Sequence, residues 1–361
     1  MLKEAKTKAT KTKAKIGVLG ASGYTGAELV RLLLRHPGVE LALLTADRRA
    51  GQQMRDVFPQ FAPFDLPKLI AIDGLDWKKA KLDLAFCALP HGTTQKVIKQ
   101  LLSKAPTTKV VDLSADFRLA DVAAYARWYG HDHQAAALQR EAVYGLAEIY
   151  RDKIRTARLV ANPGCYTTAA QLPLIPLLRA TAIDPDEIVV DAKSGMTGAG
   201  RASKEEMLFS EVSEGIHAYG VGHHRHMAEL DQEFGKAAGR PVTVSFTPHL
   251  VPMNRGILAT IYVRGRGKAS AQDLHALLLK FYMKEPFVHV LPFGRMPHTR
   301  HVRGSNMTFI GVAKDRVAGR AIIGSALDNL TKGASGQAVQ NMNLMLGFPE
   351  AAGLEQVALF P

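Results

Sequence analysis

The stretch AKIGVLGASGYTGAELVRLLLRHPGVELALLTADR, residues 14–48, decides the fold. An apolar run ends in a glycine turn, Leu29, Leu32 and Leu33 then recur at helical spacing, and His36-Pro37-Gly38 stops the helix before a second apolar run closes on Thr45. Strand, turn, helix and strand in so short a span make one βαβ unit. Gly20, Gly23 and Gly26 set the turn as GxxGxxG. Glycine is needed where the turn is tight and where backbone must approach a pyrophosphate, and the helix that follows offers free N–H groups and a positive dipole end. Three such glycines also occur in plain strand–helix turns; the strand before, the helix after and the second strand are what favour a dinucleotide. The expected contacts are Gly20, Ser22, Gly23, Tyr24, Thr25 and Gly26 around the turn, with Thr45 and Arg48 at the end of the second strand. An acid there would hold a ribose hydroxyl, whereas cations suit a 2′-phosphate; Arg48 and Arg49 after Asp47 point to NADP(H).

Farther along, LDLAFCALPHG (82–92), TKVVDLSADFR (108–118) and ARLVANPGCY (157–166) read as buried strands running into loops, with helical stretches between them. That order predicts a doubly wound, mostly parallel sheet. Beyond Cys165 the texture changes. DEIVVDAKSGMTGAGR (186–201), PVTVSFTPHLVPMNRGILATIYVRG (241–265) and RAIIGSALDN (320–329) alternate apolar and polar residues over long strands, as in an α+β domain on a large mixed, mostly antiparallel sheet. LDNLTKGASGQAVQNMNLMLG (327–347) reads as one amphipathic helix ending near Gly347. The expected fold class is therefore α/β, a Rossmann dinucleotide-binding domain plus an α+β catalytic and dimerisation domain. The boundaries expected are a disordered basic tail at 1–14, an NADP-binding domain at 15–163 and 328–361, and a catalytic and oligomerisation domain at 164–327.

The totals narrow the function classes. Among 361 residues, 47% are hydrophobic and 22% charged, which suits an ordinary globular chain. Two cysteines cannot build a disulfide framework, no Cys/His group has zinc-ligand spacing, and no apolar run reaches the roughly 20 residues of a membrane helix. A reduced, cytoplasmic protein without metal or membrane is expected, and no secretory leader pattern is present. The net charge is +13; six lysines against one glutamate in the first fifteen residues supply +5, leaving +8 for the rest. The tail lacks the aromatic interleaving of single-strand binders, so no nucleic-acid partner is expected, and the remaining charge favours small anionic ligands.

Cys165 decides the chemistry. Cys87 lies inside a strand, where cysteine serves as a small apolar residue. Cys165 follows Asn162-Pro163-Gly164 at a strand end and precedes TTAAQLPLIPLL, which reads as a helix. It is either a structural residue under a turn or a thiol whose anion the helix N-terminus stabilises. An acid/base partner would come from VGHHRHMAEL, which holds His223, His224, His226 and Glu229; three close histidines also raise a metal, but no second ligand cluster accompanies them. Arg118, and Arg201 in KSGMTGAGR, stand in loops at strand ends, suited to gripping an anion.

With those residues in view, the chain resembles the N-acetyl-gamma-glutamyl-phosphate reductases of the wider aspartate-semialdehyde dehydrogenase superfamily. The likeness spans residues 15–350 and rests on GASGYTGAEL, ALPHG, VVDLSADFRL, VANPGCY, SGMTGAGR, GHHRHMAE, FTPHLVPMNRGILAT and DNLTKGASGQAVQNMN, in the family's order. The resemblance implies that Cys165 is the nucleophile and His224 the acid/base. It implies that Arg118, Arg201, His226 and Glu229 bind substrate, and that Ser194, Gly195 and Asn329 meet the cofactor. Ala228 stands where the family motif has proline. The implied reaction is NADPH-dependent reduction of N-acetyl-gamma-glutamyl phosphate to the semialdehyde through a cysteine thioester, with phosphate released, in arginine biosynthesis. Its only partners would be the small acyl phosphate and further copies of the chain, as a dimer or tetramer. Three rivals stand beside it: reduction of a carrier-linked aminoadipyl phosphate, a redox-silent NADP-binding sensor, and a nucleic-acid binder acting through the tail.

Overall fold

The computed structural model describes residues 13–201 and 205–360, so most of the expected basic tail lies outside the described residues. Strand β1 (Ala14–Leu19) enters the glycine turn, helix α1 (Tyr24–Leu33) leaves it, and β2 (Val39–Thr45) returns beside β1. Strands β3 (Leu69–Ile70), β4 (Leu84–Cys87), β5 (Lys109–Asp112), β6 (Val143–Tyr144) and β7 (Leu159–Ala161) complete a sheet in the order β3-β2-β1-β4-β5-β7-β6. Every neighbouring pair in it is parallel. All four residues of β4 are buried because both faces are covered. Phe86 joins a core that holds Leu29 of α1, while Ala85 and Cys87 point the other way, toward Ile98 and Leu101 of helix α2 (Thr94–Lys104); helix α3 (Ala147–Thr156) follows β6.

The second sheet is built from β8 (Val189–Gly195), β9 (His217–Ala218), β10 (Ser245–Val251), β11 (Ile257–Arg264), β12 (Val288–Val290), β13 (Thr308–Lys314) and β14 (Arg320–Leu327), in the order β12-β13-β14-β11-β8-β10-β9. Only β12–β13 and β8–β10 pair in parallel, so the sheet is mixed and mostly antiparallel, as expected. In β11 the alternation is complete: Ile257, Ala259, Ile261 and Val263 are buried, and the residues between them are half-exposed. The buried face packs on helix α4 (Cys165–Arg179), in which every residue from Tyr166 to Leu178 is buried. Each of its leucines contributes about 1.5–3 kcal/mol by burial.

Helix α4 carries two interior prolines, Pro173 and Pro176. A proline has no N–H to give the carbonyl four residues back, which for Pro176 is that of Leu172. The Tyr282 hydroxyl, at the end of helix α6 (Ala271–Tyr282), donates to that carbonyl at 2.5 Å and replaces the missing bond. Between α4 and α6 lies α5 (His226–Ala238).

The C-terminal segment departs from the expected single amphipathic helix. Thr331–Ser335 form a π-turn, α7 follows over Gly336–Leu346, and Gly347 closes it with φ +73°. Residues 336–345 are buried all round, because α7 returns to the first core, where Ala338, Val339 and Met342 meet Ile16, Val18 and Phe86. A helix without an exposed face shows no amphipathic period in its true surroundings. Arg255 clasps the two halves: its guanidinium binds Glu28 of α1 at 2.7 Å and Asp328 at 3.3 Å.

Candidate active site

The π-turn touches the start of both α1 and α4: the Ser335 hydroxyl donates to the Thr25 carbonyl at 2.9 Å, and a Cβ on Gly333 would lie 2.7 Å from Cys165 Cβ. Gly20 has φ +89°, and a Cβ on it would fall 2.4 Å from the carbonyl of Ala88. A Cβ on Gly26 would lie 2.2 Å from the Gly20 carbonyl, so the helix can approach the turn only with glycine there. No side chain caps α1 and no acid sits in its first turn, which leaves its leading N–H groups open to an anion. These features fit the diphosphate of a dinucleotide. Arg48 and Arg49 are exposed at the end of β2, and the Asp47 carboxylate is occupied by the N–H of Ile72 at 3.1 Å.

Thr45 has a different task from the one expected. It is fully buried, and its hydroxyl and carbonyl accept from Gly20 N–H at 3.1 and 3.2 Å, so it braces the turn and offers no surface to a ligand. Asn329 is likewise committed: it donates to Thr197 Oγ1 at 2.9 Å and accepts from Gly256 N–H at 2.8 Å, tying together two loops of the second sheet. Gly195 is held by packing, since a Cβ would meet the Asn254 carbonyl at 2.7 Å.

A cavity of about 500 Å³ opens at the start of α4. Its wall includes Cys165, Arg118, His224, His226 and Ser194, which the sequence had singled out. Ser194 thus stands on the same wall as the thiol. Cys165 is the first residue of α4 after the N-cap Gly164, half-buried, while Cys87 is fully buried. The expectation of a lowered thiol pKa is not met. Burial pushes Cys165 up to about 11; the Arg118 charge and the N–H of Tyr166 at the helix start pull it down but do not win. The unliganded side chain is a thiol at neutral pH.

Arg118 donates from Nε to Asn162 O (2.8 Å), from Nη2 to Leu113 O (3.0 Å) and from Nη1 to Glu229 Oε1 (3.0 Å). Two of the five N–H groups of a guanidinium then remain. Glu229 does not reach substrate space, which corrects its expected role. It is fully buried, and its carboxylate also accepts from Tyr144 (2.9 Å) and from the Gly164 N–H (3.1 Å). Its work is to fix Arg118 and the residue before the thiol. Ala228 in place of proline leaves Glu229 aimed inward all the same.

The two histidines differ. His224 Nδ1 accepts the N–H of His226 at 3.1 Å, so its neutral ring carries the proton on Nε2 and can donate it. Burial, then the Arg225 charge, push it down to about 4. The His226 ring lies against Gly164, where a Cβ would come within 2.4 Å of Nε2, and its Nδ1 is buried without a partner among the described residues. Burial and the neighbouring charges hold it well below the ordinary histidine value. Both rings are neutral at pH 7. Arg201 lies outside this cavity altogether: its Nη1 donates to the Ser22 carbonyl at 3.0 Å and its guanidinium stacks 4.5 Å above the Phe58 ring. The arginine, expected to grip substrate, here reaches back over the glycine turn.

Sequence reading missed His91, Tyr129, Tyr166, His217, Tyr219 and Arg225 as cavity residues. His91 stood in the quoted ALPHG motif and Tyr166 beside Cys165, signals that position alone could have raised. Arg225 likewise stood within the quoted GHHRHMAE, whereas Tyr129, His217 and Tyr219 come from segments with no mark of their own. Among the described residues no group of His, Cys, Asp and Glu has metal-binding geometry, and no helix is long and apolar enough to cross a membrane.

Fold and site define a semialdehyde dehydrogenase: the family model of its NAD binding domain matches residues 15–157 and that of its dimerisation domain residues 165–329. Among solved structures, aspartate semialdehyde dehydrogenase II of Vibrio cholerae superposes with TM-score 0.70 at 17% identity, covering 93% of this chain and 99% of that one. The Candida albicans enzyme with NADP superposes at 0.67 and 18%, covering 92% and 98%. Within that class the chain belongs to the N-acetyl-gamma-glutamyl-phosphate reductase family. It is 76% identical to the Afipia carboxidovorans protein of that name, across 96% of this chain and 99% of the relative. Identity to the Rhodospirillum rubrum protein is 61%, across 96% and 98%. The probable chloroplastic protein of Arabidopsis thaliana is 55% identical, across 96% and 85%.

Proposed function

We propose that Cys165 forms a covalent acyl-enzyme in the reaction of this family. That reaction is the NADPH-dependent reduction of N-acetyl-gamma-glutamyl phosphate to N-acetyl-glutamate 5-semialdehyde with release of phosphate, a step of arginine biosynthesis. The observation that carries the reading is the place of Cys165 at the first residue of α4, open to a cavity that Arg118 and two neutral imidazoles also line.

The sulfur attacks the acyl carbon, the carbon–oxygen bond to phosphate breaks, and the thiol proton leaves with the departing phosphate, which goes out as hydrogen phosphate beside the Arg118 charge and leaves a thioester on Cys165. Backbone N–H groups at the start of α4 and the Nε2–H of His224 would stabilise the oxyanion. Bound NADPH supplies the hydride that the thioester carbon receives. The Nε2–H of His224 hydrogen-bonds the resulting thiohemiacetal oxyanion, which re-forms its carbonyl as the carbon–sulfur bond breaks, the semialdehyde leaves and the released thiolate takes a proton from water. Gly20, Ser22, Gly23, Tyr24, Thr25 and Gly26 would hold the diphosphate and Arg48 the 2′-phosphate, with Ser194 toward the nicotinamide end.

A second reading is favoured by one observation. His224 Nδ1 is occupied, whereas His226 has an open nitrogen and packs on the residue before the thiol. His226 would then receive the thiol proton while His224 serves the oxyanion. His224→Gln and His226→Gln test both. We expect kcat to fall about 10²–10⁴-fold in His224→Gln with NADPH affinity intact, the usual size for a lost acid/base. A fall confined to His226→Gln, with slower alkylation of Cys165, would transfer the whole role to His226.

Support for a division into 15–163 with 328–361 and 164–327 comes from α4 packing with the second sheet and α7 with the first. Self-association as a dimer or tetramer is supported by the match to a dimerisation domain and by the half-exposed outer face of β11. The cytoplasm suits a reduced thiol and soluble substrates.

A further inference from the structure

Arg201 crosses from the loop after β8 to the glycine turn of the other half of the molecule. One N–H of its Nη1 goes to the Ser22 carbonyl at 3.0 Å. The Phe58 ring, 4.5 Å from its Cζ, supports one face of the guanidinium and so fixes its plane. The side chain is exposed, and a guanidinium has five donors in a rigid fork. Ser22 lies between Gly20 and Gly23, the turn whose glycines allow a diphosphate to approach, at the uncapped start of α1. A planar cation held at that spot, with donors to spare, is matched to phosphate oxygens.

We propose that Arg201 is a cofactor-binding residue: it grips the diphosphate of NADP(H) from the second domain, closing the dinucleotide against the glycine turn. This rests on the reading of that turn as the NADP(H) site. The consequence is a link between halves, because the same loop carries Gly198 and Ala199 into the wall of the thiol cavity while Arg201 reaches the cofactor. The carbonyl bond to Ser22 holds the fork ready before the ligand arrives. A lysine would keep the charge but lose both the stacking and the fork.

Calorimetric titration of wild type, Arg201→Met and Arg201→Lys with NADPH and with NADH tests this, alongside KM for N-acetyl-gamma-glutamyl phosphate and the melting temperature. Arg201→Met should bind both dinucleotides about tenfold or more weakly and by the same factor, as expected for a lost charge-assisted contact. Arg201→Lys should recover part of that affinity, and the acyl-phosphate KM should stay within twofold. NADPH affinity unchanged in Arg201→Met would overturn the proposal, as would a rise in acyl-phosphate KM alone. Weaker binding of NADPH with NADH unaffected would move Arg201 to the 2′-phosphate and also overturn it. A lowered melting temperature with unchanged affinities would leave the arginine a purely structural strap. Failure of wild type to bind NADPH would instead sink the reading of the glycine turn.

Discussion

Cys165 is pulled in two directions by its own position. The start of α4 offers N–H groups to an anion, while the walls of the cavity remove the water that would solvate one. The second effect is larger in the unliganded chain, with the thiol pushed up to about 11. Alkylation by iodoacetamide should therefore be slow at pH 7 and rise close to tenfold per unit through pH 8–10. A rate that levels off by pH 8 would show a thiolate already present. The residue itself was legible from NPGC and the helix after it; its titration was not. Burial comes in part from Gly333, where an added Cβ would fall 2.7 Å from Cys165 Cβ, and no local pattern ties that residue to position 165. Glu229 shows the same limit. Its place in HRHMAE marked it as functional, but only the fold shows that its carboxylate turns inward to Arg118 and Gly164.

At the scale of elements, β1, α1 and β2 fall where the glycine stretch placed them, since turn, period and stop are all local signals. Helix α4 was read as a helix despite two prolines, and the structure supplies the reason it survives them. Tyr282, on a helix more than a hundred residues away, takes the carbonyl that Pro176 leaves free. Tyr282→Phe should cost about 1–2 kcal/mol in urea unfolding, the penalty of a buried carbonyl left without its donor. NADPH affinity should be unchanged. A stability loss under 0.3 kcal/mol would mean the hydroxyl does not replace that bond. The C-terminal helix was misread for a related reason. Its polar residues, Gln337, Gln340, Asn341 and Asn343, look like a solvent face but are buried in hydrogen bonds, Asn341 to Gly145 O and Asn343 to His36.

Across the whole molecule the cofactor half and the thiol half are held by charges that sequence does not pair. Burial pushes Glu28 up, yet Arg31 and Arg255 outweigh it and hold the carboxyl at about 2. A folded pKa below the ordinary 4.5 means stability that is present above pH 4.5 and is lost as pH falls toward 2. Arg255→Met should remove about 3 kcal/mol by leaving Glu28 and Asp328 short of a cation, and shift acid unfolding to higher pH. Acid unfolding unmoved would show that Arg31 alone holds Glu28. The proposal that Cys165 carries the acyl group is tested most directly by NADP-dependent, phosphate-requiring oxidation of N-acetyl-glutamate semialdehyde by wild type and Cys165→Ser, with NADPH binding measured in parallel. Loss of the covalent nucleophile should lower turnover by at least about 10³-fold, roughly 4 kcal/mol, with NADPH affinity unchanged. Turnover by Cys165→Ser within tenfold of wild type would contradict a thioester at Cys165.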